Sequence, residues 1–295
     1  MPKGATMREE MITHPLITQY SEMVERERAF VLEQIQRYKP KKIVEIGIAA
    51  GANSVLILDF LFSNNFLDST SLYALDYNTT YYRDLYGGGE HNRKSGFLVQ
   101  EIIPHLSSYY HLYTGGFCAN HLDKIGSEID FCIIDTVHSA PGEAFDFLMV
   151  LPYLAPNAVI ILHDIAYHCL APNKYSHICA LLFLSLVGKK EIPSQYTPYE
   201  NIFQNIGSCV LAPQQNNYFD LYFRILHMPW EYMPSAEDLS VIKNHILKHY
   251  GESFVTAFEH IVALQNKWWL QEPKLPFLKK LRRKIKSKIK HLLMP

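Results

Sequence analysis

Short apolar runs that end on a glycine or an acid recur along the chain, and this recurrence constrains the fold more than any other feature. Lys42–Gly47, Ser71–Asp76, His111–Thr114, Ile129–Asp135 and Ala158–His163 read as five strands. Helical patterns or loops separate them, at Ala49–Leu61, Phe97–Leu106 and Glu143–Tyr153, with a tyrosine-rich loop over Tyr77–Gly96 that contains Gly87-Gly88-Gly89. Strands that are apolar throughout need cover on both faces, so the alternation predicts an α/β fold, a doubly wound, mostly parallel Rossmann-like sheet. Ligands of such sheets bind beyond the carboxyl ends of the strands. Four of the five strands finish there on Gly47, Asp76, Asp135 and His163-Asp164. Leu16, Ile17, Tyr20, Met23, Val24, Phe30, Val31 and Ile35 predict one helical segment over 13–38, ending before Pro40. Residues 165–206 break the alternation and read as an insertion over the strand ends. Ser208–Leu211 suits a late strand, Tyr218–Trp230 is ambiguous, and Ala236–Tyr250 and Ser253–Trp269 read as helices. The expected organisation is an N-terminal lid segment 1–40, a core 41–215 carrying that insertion, a helical extension 216–273 and a tail 274–295.

Composition matters mainly through its distribution. The chain has 295 residues, 48% of them hydrophobic, which excludes a disordered polymer. Its longest apolar run, near Ile178–Val187, falls far short of the roughly 20 residues that span a bilayer. Residues 1–10 lack the apolar stretch of a signal peptide. Five scattered cysteines, without a CxxC pair, fit reduced thiols in a cytoplasmic protein. The net charge of −1 hides an asymmetry: 19 basic against 29 acidic residues over 1–273 give −10, and the final 22 residues carry +9. A body this acidic argues against nucleic acid as a partner. In the tail, Leu278, Leu281, Ile285, Ile289 and Leu292 mark one face of a helix, and the basic residues of Lys274–Lys290 fill the others. Such a helix suits an anionic membrane surface, which would make the protein peripheral at the inner membrane face; docking on the acidic body is the alternative. Composition leaves a homo-oligomer open.

Val44-Glu45-Ile46-Gly47-Ile48-Ala49-Ala50-Gly51-Ala52-Asn53-Ser54 places glycines where backbone must pass close to a ligand, just before a helix N-terminus. A dinucleotide fingerprint needs glycine at 49, where the chain has alanine, and this disfavours a nicotinamide oxidoreductase. Asp76, at the end of the next strand, is spaced to accept both ribose hydroxyls of an adenosine.

E-x-G-x-x-x-G followed by a strand ending in aspartate resembles motif I and its successor in class I S-adenosylmethionine-dependent methyltransferases. The resemblance continues through Asp130–Ser139 and Leu151–Ala158 to Leu162-His163-Asp164, which is similar to the small-molecule O-methyltransferase branch. It covers roughly residues 41–165. Pro156-Asn157-Ala158 replaces the usual Pro-Gly-Gly, a turn that asparagine can support because it tolerates positive φ. The resemblance implies S-adenosylmethionine as cofactor. Glu45 and Gly47 would lie near its methionine moiety, Gly51, Asn53 and Ser54 at the adjoining helix start, Asp76 at the ribose, Phe117 and Cys118 at the adenine, and Asp135 beside the reacting end.

Methyl transfer to a hydroxyl requires an in-line oxygen and loss of its proton, so a base or a metal ion must assist. Asp135, His138, His163 and Asp164 belong to neighbouring strand ends and would converge on one rim. A metal-dependent, macrolide-sugar type of O-methyltransferase looks similar here. That resemblance implies His138 as base, Asp135, His163 and Asp164 as ligands of Mg2+ or another divalent metal, and a carbohydrate or glycolipid acceptor such as a surface polysaccharide. The subfamily has a carboxylate where this chain has His163, and imidazole suits magnesium less well. Without a metal, His138 would be the sole base. Tyr81, Tyr82 and Tyr86 could stack on a sugar ring or simply pack. A non-catalytic nucleoside-binding adapter is the rival reading; such a protein would have no need of Asp135, His138 and Asp164 together.

Overall fold

A computed structural model describes residues 9–86, 92–166, 169, 177–193 and 204–271. Gly87–Gly89 and the basic tail, with its expected amphipathic helix, lie outside the described residues.

Three helices, α1 (Glu9–Ile12), α2 (Pro15–Tyr20) and α3 (Glu25–Tyr38), precede strand β1 (Lys42–Ile46). The single N-terminal helix expected from the apolar spacing is therefore broken. Ser21 Oγ donates to the Met23 carbonyl and accepts from the Met23 amide, closing a turn that competes with helix. Glu27 then accepts from the Val24 amide at 2.8 Å and starts α3. Buried Arg28 donates to the carbonyls of Met23 and Ile12 and pins the turn.

The chain continues through α4 (Ala52–Ser63), β2 (Ser71–Asp76), α5 (Tyr82–Tyr86), α6 (Leu98–Ile102), β3 (Tyr110–Thr114), α7 (Ala119–Ile125), β4 (Ile129–Ile134), α8 (Gly142–Val150) and β5 (Leu154–His163). After these come α9 (Ile178–Ser185), β6 (Gly188–Glu191), β7 (Ile206–Leu211), α10 (Phe219–Ile225), α11 (Ala236–Tyr250) and α12 (Glu252–Gln271). Seven strands form one sheet in the order β3-β2-β1-β4-β5-β7-β6. The first five are parallel, and β7 runs antiparallel between β5 and β6. The expected parallel sheet is present, and the segment expected as an insertion supplies α9 and the edge strand β6. Edge position explains why Gly188-Lys189-Lys190-Glu191 carries no apolar signal: lysines suit a strand with only one neighbour.

Alternation along each central strand builds two cores. Val44, Ile46, Cys132, Ile134, Ile160 and Leu162 pack beneath α7, α8 and the C-terminal helices. Ile43, Phe131, Ile133, Val159 and Ile161 face the other way, under α3, α4 and α6. Chain order reverses between β1 and β4, so a crevice opens at their carboxyl ends. Asn157 takes φ 62°, as its turn requires.

Candidate active site

A cavity of about 710 Å³ occupies that crevice. Its lining includes Glu45, Gly47, Asn53, Asp76, Phe117, Cys118, Asp135 and His138, eight of the residues singled out in the sequence. Tyr20–Met23 from the N-terminal turn, Tyr82, and Tyr232–Ser235 with Asp238 from the C-terminal extension close its rim. No sequence pattern marks the C-terminal contributors, which arrive from far along the chain.

The β1–α4 loop is shaped by contact with neighbouring strands. Gly47 has φ 86°, and a Cβ there would lie 1.9 Å from the Asp135 carbonyl oxygen. Ala49 also has positive φ, 50°, so the helix begins at Ala52 rather than at Ala49 as expected. Gly51 does not line the cavity; it caps α4 with φ 87° and packs against Gly96. Ser54 is likewise fully buried behind the wall, donating to Glu45 Oε2 at 2.5 Å, and Asn53 donates to Glu45 Oε1 at 2.9 Å. These bonds stabilise Glu45 as an anion, but burial dominates and pushes its carboxyl up to about 7. Asn53 Oδ1 is buried with no partner among the described residues, an acceptor available to a ligand ammonium.

Asp76 Oδ2 accepts from the amides of Ile48 and Ala49, at 3.2 and 2.9 Å, and Oδ1 accepts from Asn78 at 2.8 Å. Burial raises its pKa and these three bonds oppose the rise. A carboxylate offers roughly four acceptor sites, so capacity remains for one ribose hydroxyl rather than both. The lone-pair acceptors, the glycine cradle and the adjoining Tyr77 and Phe117 rings fit an adenosyl cofactor. The two rings lie edge to face, with centroids 5.6 Å apart.

On the opposite side, His138 Nδ1 lies 2.7 Å from Asp164 Oδ2, and its Nε2 lies 4.0 Å from Asp135 Oδ1. Both His138 and Asp164 take positive φ, 53° and 59°, the kind of backbone strain that persists where surroundings over-determine it. Glu143, missed by sequence reasoning, accepts from the His138 amide. Burial would lower the His138 pKa. Hydrogen bonds to Asp164 and Glu143 and the charge of Asp135 outweigh it and hold the imidazole up to about 11.

His163 does not join a metal-ligand set. Its Nδ1 lies 3.2 Å from Asp135 Oδ1 and 3.1 Å from Asp164 Oδ2, and its Nε2 lies 3.2 Å from Glu27 Oε2. Burial works against the charged ring, yet the Asp135 carboxylate, with Asp164 and Glu27, raises its pKa well above the ordinary value. An imidazolium donating from both nitrogens has no lone pair for a metal. Donor atoms of Asp135, His138 and Asp164 do fall within 4.8 Å of one another. Asp164 Oδ2, however, is shared by the two imidazoles, and Asp164 Oδ1 accepts from Asn205 at 2.7 Å. A divalent ion would have to displace these bonds beside a buried cation, so the residues do not fit the expected metal.

Among the tyrosines, Tyr81 is buried against Tyr20 and Phe97 and packs for its own sake. Tyr82 reaches the cavity, and its hydroxyl donates to Glu22. The Tyr86 side chain lies outside what is described.

Residues 44–165 match the family model described as a methyltransferase domain. The match spans β1 to the end of β5, the strands that form the crevice. Solved structures with a similar arrangement include an O-methyltransferase of Bacillus cereus in complex with SAH, 15% identical, with a TM-score of 0.47 over 68% of this chain and 89% of that one. TomG of Streptomyces achromogenes, an O-methyltransferase involved in tomaymycin synthesis, in complex with SAM, is 9% identical, with a TM-score of 0.48 over 70% and 92%. The MycE methyltransferase from the mycinamycin pathway, in complex with Mg, SAH and mycinamycin VI, is 12% identical, with a TM-score of 0.45 over 71% and 55%. No curated protein sequence matches the chain. The matched segment thus carries the parallel strands of a Rossmann-like sheet, and among the described residues no helix is long and apolar enough to cross a membrane.

Proposed function

We propose that this protein is an S-adenosylmethionine-dependent O-methyltransferase acting on a sugar hydroxyl, carried by a polysaccharide or glycolipid. The observation that carries the reading is the placement of His138, held from behind by Asp164, in the same cavity as Asp76 and the Gly47 loop, within the segment matched by a methyltransferase domain. The acceptor class rests on the rim: Tyr20, Tyr82 and Tyr232 offer aromatic faces, and Glu22 offers a carboxylate for hydroxyl groups.

When bound, S-adenosylmethionine supplies a methyl group made electrophilic by its sulfonium. His138 Nε2 faces the cavity and would take the acceptor hydroxyl's proton as the oxygen receives that methyl group and the thioether leaves. Asp164, on Nδ1, orients the ring and stabilises the imidazolium that results. By themselves the carboxylates hold His138 up to about 11 and so keep it protonated at neutral pH. The fraction of His138 that has lost its proton acts as the base, and this fraction grows as pH rises. His163, as a fixed cation between Asp135 and Asp164, keeps the two carboxylates together without a metal.

Transfer of a labelled methyl group to oligosaccharide acceptors tests this. His138→Ala should lower turnover by about 10²–10⁴-fold while leaving S-adenosylhomocysteine affinity unchanged. The wild-type rate should rise with pH above neutrality, as His138 loses its proton, and should survive a chelator. Full turnover in His138→Ala would contradict the assignment of the base.

A further inference from the structure

Beside His138 lies a thiol that the scheme above does not use. Cys179, on the first turn of α9, is 2% exposed, and its thiol hydrogen-bonds to the Glu143 carboxylate. Glu143, on α8, is 1% exposed; its Oε1 accepts from the His138 amide and lies 3.6 Å from His138 Nδ1. Glu143 Oε2 is buried without a nitrogen or oxygen donor among the described residues, and a thiol donates only weakly. One donor atom each from His138, Glu143 and Cys179 lie within 4.8 Å of one another. Burial, with the carboxylates of Glu143, Asp164 and Asp135 around it, pushes the thiol well above its ordinary pKa, so the sulfur holds its proton unless a cation displaces it.

Nitrogen, oxygen and sulfur donors at this spacing suit a four-coordinate, thiophilic ion. Asp164 Oδ2, 2.7 Å from the same Nδ1, can complete the set. Binding expels two protons to solvent, one from His138 Nδ1 and one from the thiol. The ion's two charges replace them, so the net charge of the buried site does not change. The set of Asp135, His163 and Asp164 differs, because Glu27 holds the histidine proton in place and no sulfur is present. Magnesium takes oxygen ligands and gains nothing from a thiolate. An ion on Nδ1 leaves the remaining ring proton on Nε2, which is then a donor and cannot take a proton from an acceptor hydroxyl.

We propose that His138, Glu143 and Cys179 form a site for a thiophilic divalent ion, of the zinc and cadmium class, that switches the base off. The site stands on the geometry of the three side chains; its effect rests on the O-methyltransferase reading, with His138 as base. The ion enters from the cavity past His138, whose side chain is 25% exposed.

Cadmium titrated into the full chain, followed by the ultraviolet sulfur-to-cadmium charge-transfer band and by labelled methyl transfer, provides the test. Wild type should show the band at one ion per chain and lose about 100-fold or more in methyl transfer, with the rate restored by a chelator. Magnesium should do neither. Cys179→Ala should keep the basal rate and bind cadmium about 10-fold or more weakly; Cys179→Ser serves if the alanine variant does not fold. No band in wild type, or equal cadmium affinity in the folded variant, overturns the site. Undiminished methyl transfer by cadmium-loaded wild type overturns the switch. A band that depends on Cys179, in a chain that transfers no methyl group even without cadmium, supports the ion site and overturns the O-methyltransferase reading instead.

Discussion

Glu45 shows how single residues in this site are set by their enclosure. It lies 2% exposed on β1, bonded to Asn53 and Ser54, and burial pushes its carboxyl from an ordinary 4.5 up to about 7. A folded-state value above the unfolded one means that the native state holds the proton more tightly. The stability Glu45 contributes is therefore complete below about 4.5 and is lost as pH rises through about 7. Thermal melts of wild type and Glu45→Gln across this window should show wild type losing ground to the variant as pH rises, and parallel curves would contradict the assignment. The residue scale also shows where sequence reading stops. Glu45, Asp76, Asp135 and His138 were legible because each sits at or just after a strand end. Ser54 and Gly51 belong to the same motif but support it from behind, a distinction that spacing does not carry. His163 was legible as a site residue and wrong as a ligand, because its second nitrogen meets Glu27 from a helix 136 residues away in sequence.

At the level of elements, the β1–α4 turn is the most constrained part of the cavity. Gly47 needs both its positive φ and the absence of a side chain. Gly47→Ala should cost at least about 3 kcal/mol in urea unfolding and weaken S-adenosylhomocysteine binding; a variant of wild-type stability and affinity would show that the turn is not built as described. The strands were readable because period-two burial on both faces leaves continuous apolar runs, as in Phe131–Ile134. Elements with weak patterns were not. Ala119–Ile125 is a two-turn helix with only Leu122 and Ile125 buried, and Gly188–Glu191 is a polar edge strand. The break at Ser21–Val24 was hidden because Met23 is buried like a helical core residue although it sits in a turn.

Across the whole molecule, the cavity is closed by parts remote in sequence. The N-terminal turn brings Tyr20–Met23, the C-terminal extension brings Tyr232–Asp238, and Tyr77 donates to Asp238 at 3.1 Å across the rim. The motif-bearing segment 44–165 supplies most of the lining, and the segments before and after it complete the enclosure. Charge is also distributed at this scale. The final 22 residues carry +9 beside a body of −10, and each basic residue near an anionic lipid surface contributes about 1 kcal/mol. Cosedimentation with anionic phospholipid vesicles should therefore be strong for the full chain, weaker at high salt, and lost for a chain ending at residue 271; equal binding by both chains would place membrane contact elsewhere. On the proposed reading, the polar strand ends meet to form a cavity for S-adenosylmethionine. Calorimetric titration of S-adenosylhomocysteine against wild type and Asp76→Ala tests it most directly. Wild type should bind saturably, one to one, and the variant with affinity about 10-fold or more weaker. Absence of binding by wild type, or equal affinity in the two proteins, would contradict it.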